Sequence, residues 1–300
     1  VHPTLERLRT SVGAWTHTLE SVLPAELGGL ASLLESSGFR ALWLPEAWGR
    51  EAMTGALLVL ERSTELVVAT GIASIYARDA MATASSSRTL ASLSEGRFVL
   101  GLGVSHRPLV ERGRGGVYDP PMAAMSSYLE ALAAAPVLSA EHDVSVPTVL
   151  AALGPRMLRL SAERTDGALS YLVTVAHTER ARATLGPDAF LAVEQSVVLG
   201  GDREEFLRRA HEHLNIYTGL DNYRANWRRL GFGEEDFVRG GSERLCDELV
   251  VHGDVESIGR RVDEHLRAGA DHVCVQVLGA TLTEVPRREW AELGAYLASR

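Results

Sequence analysis

The segment GRFVLGLGVSHRPLVERGRGG, residues 96–116, decides how the chain is read. Phe98, Val99, Leu100 and Leu102 make an apolar run bounded by glycines, the pattern of a strand buried on both faces. The chain then turns polar and glycine-rich, with Ser105 and His106 where the strand ends. A dinucleotide fingerprint would need a third glycine, an immediate helix and an acid about 20 residues on. Here the third glycine is missing, and Pro108 and a glycine-rich loop follow. A nucleophile elbow would need glycine on both sides of the serine at fixed spacing. Ser105 lies between Val104 and His106, and adjacent residues do not pair as nucleophile and base. What remains is a small-residue strand end opening onto the top of a barrel. The plainer reading is that Gly101 and Gly103 only let packed neighbours approach.

Working outward, short apolar runs alternate with amphipathic helices. Strands are expected at 12–16, 40–45, 66–75, 97–103, 148–152, 167–173, 190–199 and 272–278. Pro24 opens one helix, Asp79 caps another, and Asp202 with Glu205 has the spacing of a capping box. Eight strands, each followed by a helix, predict a (β/α)8 TIM barrel in a single domain covering 1–300. An open doubly wound sheet is the structural rival. Two irregular stretches, about 104–122 and 218–253, follow the fourth and seventh strands on the face where barrel active sites form.

The 300-residue chain is 46% hydrophobic and carries a net charge of -9. An acidic chain is a poor match for nucleic acid or anionic membrane, since phosphate binding needs a basic surface. No apolar run approaches the roughly 20 residues of a membrane span, and the first residues lack a signal-peptide core. The two cysteines, Cys246 and Cys274, stand in no metal spacing and fit a reduced, cytoplasmic setting. All 30 basic residues are arginine, so a lysine Schiff base is impossible.

Two further motifs matter. In AALGPRMLRLSAERTDG, residues 151–167, Gly154 opens a turn and Pro155 starts a helix, so free N–H groups beside Arg156 suit a phosphate. The plainer reading is an ordinary turn with an exposed arginine. HEHL, residues 211–214, fails as a zinc motif because its histidines are two apart, and it reads as a solvated helix face. His265 and His272 read as structural, and the five tryptophans as core candidates, with Trp15 and Trp48 at or just beyond strand ends.

WLPE at the second strand, TGIASIYARD at the third, LSEGRFVLGLGVSH at the fourth and AALGPRMLRLSAERTDGA at the fifth together resemble the luciferase-like monooxygenase superfamily. Within it they resemble the branch that uses the deazaflavin coenzyme F-420. The resemblance implies hydride transfer between the deazaflavin and a small organic substrate, and insertions after strands four and seven. It implies a bulge with a non-proline cis peptide at Gly71–Ile72, followed by Ala73 and Ser74, that supports the cofactor ring. It places the cofactor phosphate at Ala152, Leu153, Gly154, Pro155 and Arg156. It lines the pocket with Gly103, Ser105, His106, Tyr171 and Thr174. GLGVSH then becomes the floor and rim of that pocket. Many members follow the acid after strand two with histidine, but here Glu46 is followed by Ala47. For proton management the order is His106, Glu46, His17, because histidine needs least tuning. FMN is the alternative cofactor, as in an FMN-dependent monooxygenase, and a non-catalytic flavin-binding protein is the rival from another class. Relatives are often homodimers, and no metal is expected.

Overall fold

The computed structural model describes residues 1–136 and 138–300. The apolar runs form strands β1 (Ser11–Trp15), β2 (Ala41–Leu44), β3 (Val67–Thr70), β4 (Ala73–Ser74), β5 (Phe98–Gly103), β6 (Thr148–Ala151), β7 (Gly167–Ser170), β8 (Phe190–Leu199), β9 (Val250–Gly253) and β10 (His272–Val277). Every pairing is parallel, and β10 pairs with both β1 and β8, which closes the ring. β3 and β4 are two halves of the third barrel strand, parted at Gly71–Ile72, whose peptide is cis. The ring therefore has eight positions, and the fold is the (β/α)8 TIM barrel expected.

The helices are α1 (Pro3–Glu6), α2 (Leu27–Ser36), α3 (Ala52–Leu60), α4 (Ala80–Leu93), α5 (Pro121–Ala134), α6 (Pro155–Arg164), α7 (Val175–Leu185), α8 (Arg203–Leu214), α9 (Asp221–Arg229), α10 (Glu243–Leu249), α11 (Val255–Arg267) and α12 (Arg287–Ala298). Asp79 caps α4 and Asp202 caps α8, each accepting a backbone N–H three residues on. The reading of 218–253 as irregular needs correction. It holds α9, α10 and β9, and β9 pairs with the second half of β8, outside the ring. No described helix is long and apolar enough to cross a membrane.

Alternation along the strands divides the core. Ala41, Trp43, Val67, Ala69, Val99, Val149, Leu169, Phe190, Ala192 and Cys274 fill the barrel interior. Their neighbours, such as Leu42, Val68, Leu100, Leu150, Leu191 and Val273, pack outward against the helices. A further cluster, including Leu172, Val198, Phe206, Tyr223 and Trp227, joins the segment after β8 to the strand ends. Trp48 departs from the expectation of a core role: it is 74% exposed on the loop after β2.

Buried histidines link this core to pH. Burial, the largest cause in each case, pulls His177 and His272 down to about 4 and His213 and His265 down to about 3. Each would titrate near 6.5 in the unfolded chain, which then binds more protons than the folded one. Stability from these groups is full above that value and is lost as pH falls toward the folded values. Glu20 and Glu194, raised to about 7 by burial, act in the opposite sense but are outnumbered. The urea midpoint is therefore expected to be lower at about pH 5 than at about pH 7. A higher midpoint in the acidic sample would contradict this balance.

Candidate active site

The third strand's break is held from three sides. From β1, the Trp15 indole Nε1 donates to the Gly71 carbonyl at 2.8 Å. A Cβ at Gly71 would lie 2.9 Å from that same nitrogen, so the contact requires glycine. From β5, the Thr70 hydroxyl donates to the Gly101 carbonyl and accepts the Gly101 N–H, both at 2.8 Å. A Cβ at Gly101 would fall 1.9 Å from the Thr70 carbonyl oxygen, which a side chain cannot accommodate. From the end of β2, Glu46 accepts the Ser74 N–H at 2.8 Å and the Ala52 N–H at 3.3 Å, and pairs with Arg78. Ile72 follows the break and reaches to Gly103, whose Cβ would sit 2.6 Å from the Ile72 side chain.

This geometry changes the reading of Glu46. Its side chain is buried, ion-paired and committed to two backbone donors, which makes it an anchor for β4 rather than an acid facing a substrate. His17 is also tied, with Nε2 2.8 Å from the Leu282 carbonyl, and burial lowers its affinity for a proton. His106 differs from both. Its carbonyl anchors the Leu109 and Val110 N–H groups, while its ring nitrogens have no hydrogen-bond partner among the described residues. Burial lowers its pKa, so the ring is a neutral base near pH 7.

Aromatic rings span the barrel mouth. Trp15 lies 4.8 Å from Tyr171, Tyr171 6.4 Å from Tyr223, and Tyr223 5.8 Å from His106. Tyr217 joins them, donating to the Tyr171 hydroxyl at 3.2 Å. At two strand ends on this face, Ser105 and Leu172 hold left-handed backbone, φ 54° and 52°, where non-glycine residues are uncommon. The remaining expected residues are structurally committed. Ser74 Oγ accepts the Tyr76 N–H, the Ala152 carbonyl accepts the Ser170 hydroxyl, and Thr174 caps α7. Ala73 pairs with Leu102 across β4 and β5.

A cationic cradle forms at the start of α6. Gly154 is its N-cap with no side-chain cap, Pro155 is its first residue, and Arg156 is exposed. A Cβ at Gly154 would meet only Arg229 Nη2, at 3.8 Å, so internal packing does not demand glycine there. Arg229 lies 3.5 Å from the Leu153 carbonyl and 3.2 Å from Asn226 Oδ1, and Arg180 donates to its carbonyl. Asn226 Nδ2 is buried with no hydrogen-bond partner among the described residues. Burial and then the neighbouring Arg180 lower the pKa of Arg229. Sequence reading found Gly154, Pro155 and Arg156. It missed Asn226, Arg229 and Arg180, which stand 72, 75 and 26 residues beyond Gly154 and converge only through folding. It also read HEHL as solvated, whereas His213 is buried against Ser196, and His211 lies 3.1 Å from the Gly240 carbonyl.

Glu46→Gln keeps the shape but removes one of the two carboxylates that pair with Arg78, leaving Glu51. The expected loss of unfolding free energy is about 1–2 kcal/mol, below the cost of a fully uncompensated buried charge. A urea midpoint equal to wild type would contradict the anchoring role.

Comparison with known proteins places these features. The family model for luciferase-like monooxygenases matches residues 8–272. A candidate coenzyme F-420-dependent oxidoreductase of Mycobacterium tuberculosis is 24% identical, with 84% of this chain and 90% of that protein covered. The structure of an F-420-dependent secondary alcohol dehydrogenase in complex with an F-420–acetone adduct has the same fold, with a TM-score of 0.75 at 14% identity, covering 98% of this chain and 100% of that one. The oxygenating constituent of a Pseudomonas putida 3,6-diketocamphane monooxygenase, in complex with FMN, superposes with a TM-score of 0.69 at 13% identity, covering 95% and 96%. The chain belongs to the luciferase-like monooxygenase family.

Proposed function

We propose that this enzyme is a coenzyme F-420-dependent oxidoreductase that transfers a hydride between the deazaflavin and a small organic substrate. The observation that carries the reading is the cradle at Gly154, which combines a helix N-terminus without a side-chain cap, two guanidinium groups and a buried Asn226 donor with no partner among the described residues. Those groups suit a phosphoryl anion. The rest of the face suits a flat tricyclic ring: Trp15 and Tyr171 present aromatic surface, and the Gly71–Ile72 segment is fixed by Trp15, Thr70 and Glu46. When bound, the deazaflavin would accept or give the hydride. The chain's own part is to hold the phosphoryl end, orient the ring, exclude water and move a proton. His106, half-buried, neutral and with no ring hydrogen bond among the described residues, is the candidate for the proton at the substrate.

FMN shares a tricyclic body and a phosphate with the deazaflavin but differs at the ring atom that takes the hydride, and a solved structure of the same fold holds it. The Mycobacterium relative, covering most of both chains, supports the deazaflavin.

Gly154→Val tests the cradle. Its side chain has room in the protein, so the melting temperature should stay within a few degrees of wild type. Cofactor affinity should fall roughly 10-fold or more, equivalent to about 1.4 kcal/mol. His106→Ala should keep cofactor affinity and lower turnover roughly 100-fold. Unchanged affinity in the first variant would remove the cradle from cofactor binding, and full turnover in the second would remove His106 from the chemistry.

A further inference from the structure

Across the ring from the Gly71 break, β8 carries a second constellation. Phe190 and Ala192 belong to the interior cluster, and the same alternation turns Glu194 and Ser196 inward, nearer the mouth. Glu194 is fully buried. Its Oε2 accepts the Leu172 N–H at 3.0 Å, and its Oε1 accepts the Ser196 hydroxyl at 2.7 Å. The same Ser196 oxygen lies 3.1 Å from His213 Nε2 on α8. Carboxyl, hydroxyl and imidazole thus form one unbranched chain. At its outer end His213 lines a groove with His17, Thr18, Arg209, Glu212 and Leu282. Beside it on β10, Gln276, in register with Ser196, accepts the Tyr171 hydroxyl at 2.8 Å through Oε1, while its Nε2 is buried with no partner among the described residues.

A hydroxyl has one proton to donate, so this chain has two self-consistent states. With Glu194 ionised, Ser196 donates to the carboxylate and accepts from an Nε2–H on His213. With Glu194 protonated, the carboxyl donates to Ser196, Ser196 donates to Nε2, and the histidine proton sits on Nδ1.

We propose, resting on the function given above, that Glu194, Ser196 and His213 form a proton relay between the barrel interior beneath Tyr171 and the groove beside His17. In one passage the Glu194 O–H bond breaks as Ser196 Oγ takes the proton. The Ser196 proton passes to His213 Nε2, and the Nδ1 proton leaves to water. The reverse sequence delivers a proton inward. Hydride transfer at a carbon bearing oxygen or nitrogen needs a proton, which His106 handles at the substrate; the relay exchanges a proton between the barrel interior and solvent and consumes no further reactant.

The surroundings favour transfer over charge storage. Burial raises Glu194 to about 7, so both states lie close to neutral pH. Tyr171, Tyr217, Tyr223 and Cys274 face it, and burial pushes the ionisation of each upward, so none brings charge near neutral pH. Burial, then His17, holds His213 at about 3, so it exchanges tautomers instead of standing as imidazolium. Arg209 and Glu212 are the charged groups that share its groove.

Nitrogen-15 NMR of the His213 ring in the unliganded chain, titrated across neutral pH, tests the relay. The expected result is a neutral ring that changes from the Nδ1–H to the Nε2–H form as pH rises through about 7, following Glu194. Glu194→Gln should abolish the exchange. So should Ser196→Ala, which leaves the Leu172 bond to the carboxylate in place. One tautomer throughout in wild type, or exchange that persists in Ser196→Ala, overturns the proposal. No cofactor is present, so failure here is distinct from failure of the cofactor assignment. In the holoenzyme, Ser196→Ala should keep cofactor affinity and change the pH profile of turnover, and an unchanged profile overturns the relay's part in the reaction.

Discussion

The arrangement of the site depends on how the third barrel strand is broken and held. Three other strands each contribute one hold, and each is of a different kind. β1 supplies an indole N–H to the Gly71 carbonyl, β5 supplies a two-way hydrogen bond with the Thr70 hydroxyl, and the end of β2 supplies a buried carboxylate to the Ser74 N–H. Gly71 and Gly101 are required because these contacts bring backbone or indole to where a Cβ would stand. The consequence is a fixed ledge at the mouth, with Ile72 lying over Gly103. A site needs rigid support if a ring is to meet a substrate at reacting distance.

Around that ledge the chemistry is divided by position. The start of α6, with Arg229 and Asn226, gathers positive potential at one edge. His106 and Tyr223 stand at the end of β5, and Tyr171 and Trp15 lie over the interior. The segment after β8 unites these parts: α8 brings His213, the turn after it Tyr217, and α9 brings Tyr223, Asn226 and Arg229. A stretch that departs from the simple β-α alternation thus furnishes several of the groups that give the mouth its character. The barrel supplies the frame, and function comes from the groups grafted on it.

Much of the frame was legible because it is local. Strands buried on both faces read as apolar runs, and Gly154–Pro155 marks a helix start from adjacent residues alone. The groups that escaped reading are those whose meaning lies in a distant partner. Glu46 looked like a free acid because Arg78 stands 32 residues away. His213 looked solvated because the charged residues of α8 conceal that one side of that helix faces Ser196. β9 is four residues long, too short for alternation to separate it from a loop.

The central claim is that the cradle and ledge together hold a deazaflavin. The most direct measurement is an equilibrium titration of the wild-type chain with coenzyme F-420 and with FMN, side by side in one buffer. The account predicts tighter binding of the deazaflavin by roughly 10-fold or more. FMN binding as tightly as the deazaflavin, or more tightly, would contradict it.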